Sequence, residues 1–142
     1  MKVNNKITLK FPSLSINESF ARSVVSCFAL QLNPSISEIS DIKTAVSEAV
    51  TNAIVHAYAG RIGEITLKMW IEDNVIHINI CDDGIGIENV EQALEPFYTT
   101  REDEERSGMG FTIMKNFMDG VEVFSKIGVG TKIYMYKKIK VN

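Results

Sequence analysis

The sequence contains few of the residues from which disulfide frameworks and zinc sites are built. It has two cysteines, Cys27 and Cys81, and two histidines, His56 and His77, and none of them occurs in a CxxC or HExxH spacing. A chain of this kind is not expected to be held together by cross-links or by structural zinc. The composition therefore predicts a protein of the reducing cytoplasm.

The sequence also lacks a surplus of positive charge and a long apolar run. Fifteen Lys and Arg residues oppose eighteen Asp and Glu residues, which leaves a formal charge of -3. Such a chain offers no broad basic surface to nucleic acid or to an acidic membrane. No signal-peptide pattern is present, and no apolar run approaches the ~18 residues of a membrane span. We expect neither nucleic acid nor a membrane as a partner, and any anion must be bound locally.

What is present fits one globular domain that spans residues 1–142. Hydrophobic residues make up 45% of the chain and charged residues 23%, which is the usual balance of a single domain. Helical periodicity follows Ser15 and Ser35, and each of these residues has a glutamate three positions later, as in a capping box. The second helical pattern runs to about Tyr58 and is rich in alanine.

Alternating patterns predict five strands. They cover 6–11, 65–71, 76–80, 121–125 and 131–136, and helical patterns at 88–94 and 112–118 separate the third strand from the fourth. Short turns link neighbouring strands. The fold class predicted is α+β, a two-layer α/β sandwich with a mixed, mostly antiparallel sheet and the helices on one face.

Glycine is unevenly distributed and marks two candidate ligand loops. Asp82 shares the parity of the apolar residues of its strand, so it points towards the core and requires a partner. Gly84 and Gly86 follow it and let the backbone pass close to a flat ligand. The buried carboxylate can accept a hydrogen bond from an exocyclic amine of that ligand. Asp-Gly is also a common turn dipeptide, so this segment taken alone favours a plain turn.

The second candidate loop, Ser107-Gly108-Met109-Gly110, lies just before a helix. Glycines at a helix start present unpaired N–H groups and the positive end of the helix dipole to a phosphate. Arg101 and Arg106 lie nearby and could donate to it. The loop is neither a Walker loop nor a dinucleotide fingerprint, because the residues that define those motifs are missing.

Glu48 and Asn52 lie four residues apart on one face of the second helix. An amide oxygen is a suitable ligand for Mg²⁺, and a carboxylate one turn away could deprotonate a hydroxyl group. A solvated helix face is an equally good interpretation of this pair when it is taken alone.

Taken in order, four motifs resemble the N, G1, G2 and terminal-threonine boxes of the Bergerat-fold (GHKL) ATPases and kinases. They are Glu48-x-x-x-Asn52, Asp82-x-Gly84-x-Gly86, Gly108-x-Gly110 and Gly130-Thr131. Longer segments at 47–54, 96–100 and 105–114, together with the start of the first helix at 17–22, resemble the anti-sigma F factors of spore-forming bacteria. This second resemblance covers essentially the whole chain.

The resemblance implies roles for individual residues. Asn52 would coordinate Mg²⁺, Glu48 would be the general base, Asp82 would hold the adenine amino group of ATP, and Arg106 would stabilise the γ-phosphate. The implied nucleotide-binding residues are Asn52, Asp82, Gly84, Gly86, Thr99, Thr100, Ser107, Gly108, Met109, Gly110 and Thr131.

The resemblance also implies partners. The acceptor would be a serine of the anti-anti-sigma factor SpoIIAA, and the ATP-bound homodimer would sequester sigma factor F. Glu18 and Arg22 are assigned to partner contact by the same resemblance, although an i,i+4 surface ion pair worth roughly 0.3 kcal/mol is the simpler interpretation.

Two other functions remain open from the sequence. One is an ATP-gated binding module that captures a partner without moving phosphate; the presence of Glu48 argues against it, because such a module needs no base. The other is the catalytic domain of a two-component histidine kinase, which needs a phospho-accepting histidine on a dimerising hairpin. His56 falls within the nucleotide-binding helix and His77 within a strand, where a structural role is favoured.

Overall fold

The computed structural model describes residues 4–95 and 110–140. These residues form five strands, four α-helices, a 3₁₀ turn after the first helix and a π-helical turn after the second. In chain order the elements are β1 (Asn5–Pro12), α1 (Ile16–Ala29), the 3₁₀ turn (Leu30–Leu32), α2 (Ile36–Asn52), the π-helical turn (Ala53–Ala57), β2 (Glu64–Glu72), β3 (Val75–Asp82), α3 (Val90–Ala93), α4 (Gly110–Phe117), β4 (Gly120–Lys126) and β5 (Gly130–Lys138).

The strands form one sheet with the order β1-β2-β3-β5-β4. All four strand pairs are antiparallel. The last strand in sequence is therefore inserted between β3 and β4, where it pairs Asp82 with Thr131. This register brings the end of β3 against the start of β5.

The helices cover one face of the sheet, which confirms the predicted two-layer α+β sandwich. The alternating residues of β2 and β3 that face the helices are almost fully buried, and they share a core with the apolar sides of α1, α2 and α4. The small side chains of Ala45, Ala49 and Ala53 are part of that core. They allow α2 to lie close against its neighbours.

The two predicted capping boxes differ in outcome. Ser35 caps α2 as predicted: its hydroxyl accepts the N–H of Glu38, whose carboxylate accepts the N–H of Ser35. Ser15 does not cap α1, because its backbone is already helical, with φ -53° and ψ -37°, and its side chain makes no capping bond. An N-cap side chain reaches the first turn only from an extended backbone, so the capping box predicted at Ser15 and Glu18 is wrong.

The end of α2 is widened into a π-helical turn over Ala53–Ala57, in which the N–H of Tyr58 bonds to the carbonyl of Ala53 over 3.2 Å. The sequence pattern predicts a single helix up to this point. Turns of this kind are rare and often accompany functional sites. Here the turn places the Ala57 carbonyl beside the loop that follows β3.

Among the described residues, no helix has the length and hydrophobicity that crossing a membrane requires.

Candidate functional site

Asp82 is the last residue of β3, and its carboxylate is buried on the helix-covered side of the sheet, with 7% of the residue exposed. Its Oδ1 atom accepts the N–H of Gly84 over 2.9 Å and that of Thr131 over 3.3 Å. Within the described residues no hydrogen bond is made to Oδ2. The core-facing orientation predicted from strand parity is confirmed, and one carboxylate oxygen remains for a ligand.

Burial raises the pKa of the Asp82 carboxyl, and the charge of Asp83 acts in the same direction. The two backbone N–H donors oppose this shift without reversing it. The carboxylate is therefore costly to keep ionised in this position. A ligand that donates a hydrogen bond to it would repay part of that cost.

The loop after Asp82 passes close to two other segments, and its glycines are required for this. A Cβ added to Gly84 would lie 2.4 Å from the carbonyl oxygen of Ala57, and one added to Gly86 would lie 2.3 Å from that of Lys126. Gly86 also has a positive φ of +80°, which only glycine adopts readily. Both glycines are thus required by the packing of the loop against Ala57 and Lys126, while their predicted approach to a ligand stays a prediction.

Thr131 lies beside Asp82 and is linked to a residue that the sequence did not single out. Its hydroxyl is 2.7 Å from that of Ser125, which also donates to the Gly130 carbonyl and accepts the N–H of Ile87. Ser125 therefore connects β4, β5 and the glycine loop. Its parity within β4 was the only available signal, since it follows Val121 and Val123 on the core-facing side.

Tyr58 is a second residue that sequence reasoning missed. Its ring is 2% exposed, and its hydroxyl donates to the Glu64 carbonyl and accepts the N–H of Asp83 over 2.8 Å. Burial raises the pKa of this phenol. Tyr58 follows the π-helical turn directly, so the end of α2 and the start of the glycine loop are fixed to one another.

Glu48 and Asn52 are half-buried on α2, one turn apart, as predicted. A Cβ on Gly110 would lie 3.4 Å from Glu48 Oε2. The first residue of α4 is therefore next to the Glu48 carboxylate. Since α2 continues through the π-helical turn to the Asp82 loop, the helix joins the Glu48 end of the site to the Asp82 end.

Glu18 and Arg22 lie on α1, with 3.6 Å between the carboxylate and the guanidinium group. The i,i+4 ion pair considered from the sequence is formed. Their predicted role in partner contact is not tested by the geometry.

Several predicted site residues lie outside the described part of the chain. They are Thr99, Thr100, Arg101, Arg106, Ser107, Gly108 and Met109. Their assignments to the nucleotide and the γ-phosphate remain predictions.

The described residues fit a purine nucleotide and a hard divalent cation. The buried carboxylate has one oxygen available next to the glycine backbone, and this oxygen can accept a hydrogen bond from an exocyclic amine. For Mg²⁺ the donor is the amide oxygen of Asn52; within residues 4–95 and 110–140 there is no cluster of three or more His, Cys, Asp or Glu side chains that would form an all-protein cage. Mg²⁺ prefers few protein ligands and completes its shell with water and phosphate oxygens, so a single amide oxygen at this position is compatible with it.

Comparison with known sequences gives consistent results. Residues 11–137 match the profile of the histidine kinase-like ATPase domain. A protein named anti-sigma F factor from Caldanaerobacter subterraneus is 59% identical over 139 residues, covering 98% of this chain and 97% of its own. Its namesake from Clostridium acetobutylicum is 56% identical over 136 residues, covering 96% and 95%, and that from a Geobacillus strain is 51% identical over 138 residues, covering 96% and 94%.

Comparison with solved structures supports the fold. The crystal structure of the RsbU and RsbW domains of a Mycobacterium tuberculosis protein superposes with a TM-score of 0.71 over 97% of this chain, at 16% sequence identity. The matched part is 33% of that longer chain. The two-layer architecture is thus shared at a sequence identity that carries no information on partners.

Proposed function

The chain belongs to the family of anti-sigma F factors built on a histidine kinase-like ATPase domain, and on that premise we propose that it inhibits sigma factor F and phosphorylates a serine of the anti-anti-sigma factor SpoIIAA. Binding of sigma factor F would prevent the RNA polymerase holoenzyme from forming during sporulation. Phosphorylation of SpoIIAA would use Mg-ATP. Both partners imply a cytoplasmic location and are bound by a homodimer.

One observation carries the enzymatic part of this proposal. The half-buried carboxylate of Glu48 adjoins the start of α4, while the same helix, continued by the π-helical turn, leads to the Asp82 loop. If the adenine of a nucleotide contacts Asp82 and its phosphates lie at the start of α4, the phosphate end of the nucleotide lies beside the Glu48 carboxylate. A module that only binds a nucleotide has no use for that carboxylate.

The cofactor and the metal supply the transferable γ-phosphoryl group and the positive charge that stabilises it. Asp82 orients the adenine by accepting a hydrogen bond from its amino group, and Asn52 provides an oxygen ligand for Mg²⁺. Phosphoryl transfer depends mainly on such positioning and on charge neutralisation. Arg106, outside the described residues, is proposed to add a donor to the γ-phosphate.

Glu48 acts on the acceptor. Its carboxylate accepts the proton of the serine hydroxyl while the serine oxygen forms its bond to phosphorus and ADP leaves. A general base of this type contributes about 10²- to 10⁴-fold to the rate. The products are phosphoserine and ADP, and the proton remains on Glu48 until it passes to water.

A second candidate function is an ATP-gated module that sequesters sigma factor F without transferring phosphate. This module would use the same ligand contacts of Asp82 and Asn52, and it differs from the kinase only in that Glu48 does not act as a general base. A histidine kinase is less well supported, because His77 stacks against Trp70, with ring centroids 5.0 Å apart, and its Nδ1 is 2.7 Å from the Tyr134 hydroxyl. These contacts give His77 a structural role on the sheet face opposite the helices.

The experiment that tests the proposal combines both activities. The purified protein is incubated with Mg-ATP and SpoIIAA, and phosphoserine is measured by mass spectrometry in the absence and presence of sigma factor F. We expect phosphoserine on SpoIIAA and ATP-dependent co-elution of sigma factor F with a dimer. Sequestration with no phosphoserine would favour the ATP-gated module, and acid-labile phosphohistidine would favour the histidine kinase.

A further inference from the structure

One lysine ties the far end of α4 to α2. Lys137, near the end of β5, has the strand parity of Ile133 and Met135, so its side chain lies on the helix-covered side of the sheet. Its Nζ atom donates to the carbonyl of Phe117, the last residue of α4, over 2.8 Å, and lies 3.6 Å from the carboxylate of Asp41 on α2. Only 13% of the lysine side chain is exposed. Lys137 therefore joins a strand and two helices.

The other end of α4 lies in the candidate site, where Gly110 is next to the Glu48 carboxylate. On α2, Asp41 and Glu48 are seven residues apart. On α4, Gly110 and Phe117 are also seven residues apart. Seven residues correspond to about 10 Å of α-helix and return a side chain to nearly the same face. The two helices, which pack against each other, are thus joined at two points with matched spacing, and they run in opposite directions.

An ammonium group suits the C-terminal end of α4. The last carbonyl groups of an α-helix have no partner within the helix and carry partial negative charge. The hydrogen bond from Lys137 to one of them is charge-assisted, and the low exposure of the side chain reduces screening by salt. A methionine in its place would fill a similar volume but would leave the Phe117 carbonyl and Asp41 without this donor. The contact therefore fixes where α4 lies along α2.

We propose that Lys137 is a positioning residue for the phosphate end of the nucleotide site. By holding the C-terminal end of α4 on Asp41, it sets the position of the first turn of α4 relative to Glu48. This inference rests on the proposed kinase function, in which the phosphates lie at the start of α4 and Glu48 is the base. Lys137 acts through α4 rather than by touching a ligand.

The register of β5 separates this effect from the adenine end of the site. Lys137 is six residues beyond Thr131, the residue that pairs with Asp82, which places it about 20 Å along the strand from the adenine contacts. Loss of the lysine should therefore change the binding of phosphates and leave the binding of the base unchanged.

The test compares ATP with adenosine, a ligand that has the base but no phosphate. The dissociation constant of Mg-ATP is measured by isothermal titration, and that of adenosine by NMR titration, for wild type, Lys137→Met and Lys137→Arg. We expect Lys137→Met to weaken Mg-ATP binding about fivefold and to leave adenosine binding within about twofold of wild type. Lys137→Arg keeps a charged donor and should restore Mg-ATP affinity to within about twofold of wild type.

Phosphate transfer to SpoIIAA gives the catalytic readout. At saturating ATP, kcat should fall about tenfold in Lys137→Met, since a misplacement of about 1 Å can cost about 100-fold in rate. Asp41→Asn should reproduce part of this loss, and the double variant should be no worse than Lys137→Met alone. Lys138→Met is the matched control: Lys138 is the next residue of β5, exposed and on the opposite sheet face, so its affinities and kcat should match the wild type.

Wild-type affinities and kcat in Lys137→Met would overturn the proposal. Equal losses of ATP and adenosine affinity would also overturn it, because they indicate a general effect on the fold. An arginine variant no better than the methionine variant, or additive losses with Asp41→Asn, would contradict it as well. If wild type transfers no phosphate to SpoIIAA, the kinase function fails, while a selective loss of Mg-ATP affinity in Lys137→Met still supports the role of Lys137.

Discussion

Asp82 is a side chain whose burial is costly for stability and which we propose to bind the nucleotide. Its carboxylate is buried, its pKa is raised by that burial, and two backbone N–H groups hold Oδ1 in place. An asparagine has the same shape and can keep both accepted bonds, but it carries no charge and presents an amide donor that would face the adenine amine. Stability and affinity should therefore change in opposite directions.

We predict that Asp82→Asn raises the melting temperature at pH 7.5 and abolishes ATP binding. The folded-state pKa lies above the ordinary value of 3.8, so ionisation weakens the folded state; this cost is complete above the folded-state pKa and disappears as the pH falls below 3.8. The stability advantage of the variant should accordingly shrink between pH 7.5 and pH 4.5. Calorimetric melting and ATP titration provide both measurements.

The control for Asp82→Asn is Asp83→Asn, which changes the exposed neighbouring carboxylate and should keep wild-type affinity for ATP. Wild-type ATP affinity in Asp82→Asn itself would refute the role of this carboxylate in adenine recognition.

Asn52 is expected to act through the metal. We predict that Asn52→Ala lowers the affinity for Mg-ATP by about 30-fold, because losing an oxygen contact to a charged group costs about 2 kcal/mol. The ATP affinities of wild type and variant should differ much less when ATP is titrated in the presence of EDTA, which removes the metal. Isothermal titration in both buffers checks this, and an equal loss of affinity with and without metal would exclude the metal role.

Sequence reasoning reached these residues because each has a signal in its own segment. Strand parity places Asp82 on the core side, and helical spacing places Glu48 and Asn52 on one face. Tyr58 carries no such signal, and Ser125 has only its parity within β4, because the partners of both residues come from distant segments. Only the pairing of β3, β4 and β5 and the π-helical turn bring these partners together.

The glycines of the strand connections serve different purposes, although they look alike in the sequence. Gly128 and Gly130 both have positive φ angles, of +79° and +134°. A Cβ on Gly128 would meet nothing within 4 Å, whereas one on Gly130 would lie 2.0 Å from the Asp82 carbonyl oxygen. Only Gly130 is therefore required for the approach of β5 to Asp82.

We predict that Gly128→Ala costs about 1 kcal/mol of unfolding free energy, from backbone strain alone. Gly130→Ala should cost about 3 kcal/mol or more, because steric overlap with Asp82 adds to that strain, and it should also weaken ATP binding. Urea denaturation of both variants tests this. Equal destabilisation would mean that the close approach of β5 to Asp82 is not needed for stability.

The secondary structure elements were more predictable than their terminal details. Within residues 4–95 and 110–140, periodicity located the five strands and the four α-helices. The signal is clearest in α1, α2, β2 and β3, whose apolar faces are buried in the core. The backbone at Ser15 and the widening of α2 at Ala53–Ala57 were not predictable, because both depend on how the chain packs beyond the local segment. The alanine-rich pattern is as compatible with a regular helix as with a π-helical turn.

The arrangement of the whole sheet has a direct functional consequence. Because β5 is inserted between β3 and β4, the terminal threonine of the sequence motifs lies beside the aspartate of an earlier motif, 49 residues away. Turn signals predicted antiparallel neighbours but not this order. The resemblance of the four motifs, taken in order, to those of a known family is what predicts that they belong to one site, and periodicity alone does not predict this.

The helix layer then combines two surfaces at one residue. Glu48 is next to the start of α4 on one side, and on the other it lines a groove between α1 and α2. A base in that position can serve a phosphoryl donor and a protein acceptor together. This is the central claim of the proposed function.

The most direct test is a single-turnover measurement of phosphate transfer from radiolabelled ATP to SpoIIAA by wild type and by Glu48→Gln, with ATP affinity determined in parallel. The amide preserves shape but cannot take the serine proton. We expect the transfer rate to fall at least about 100-fold, while ATP affinity stays within about twofold. Transfer by Glu48→Gln at the wild-type rate would contradict the assignment of Glu48 as the base.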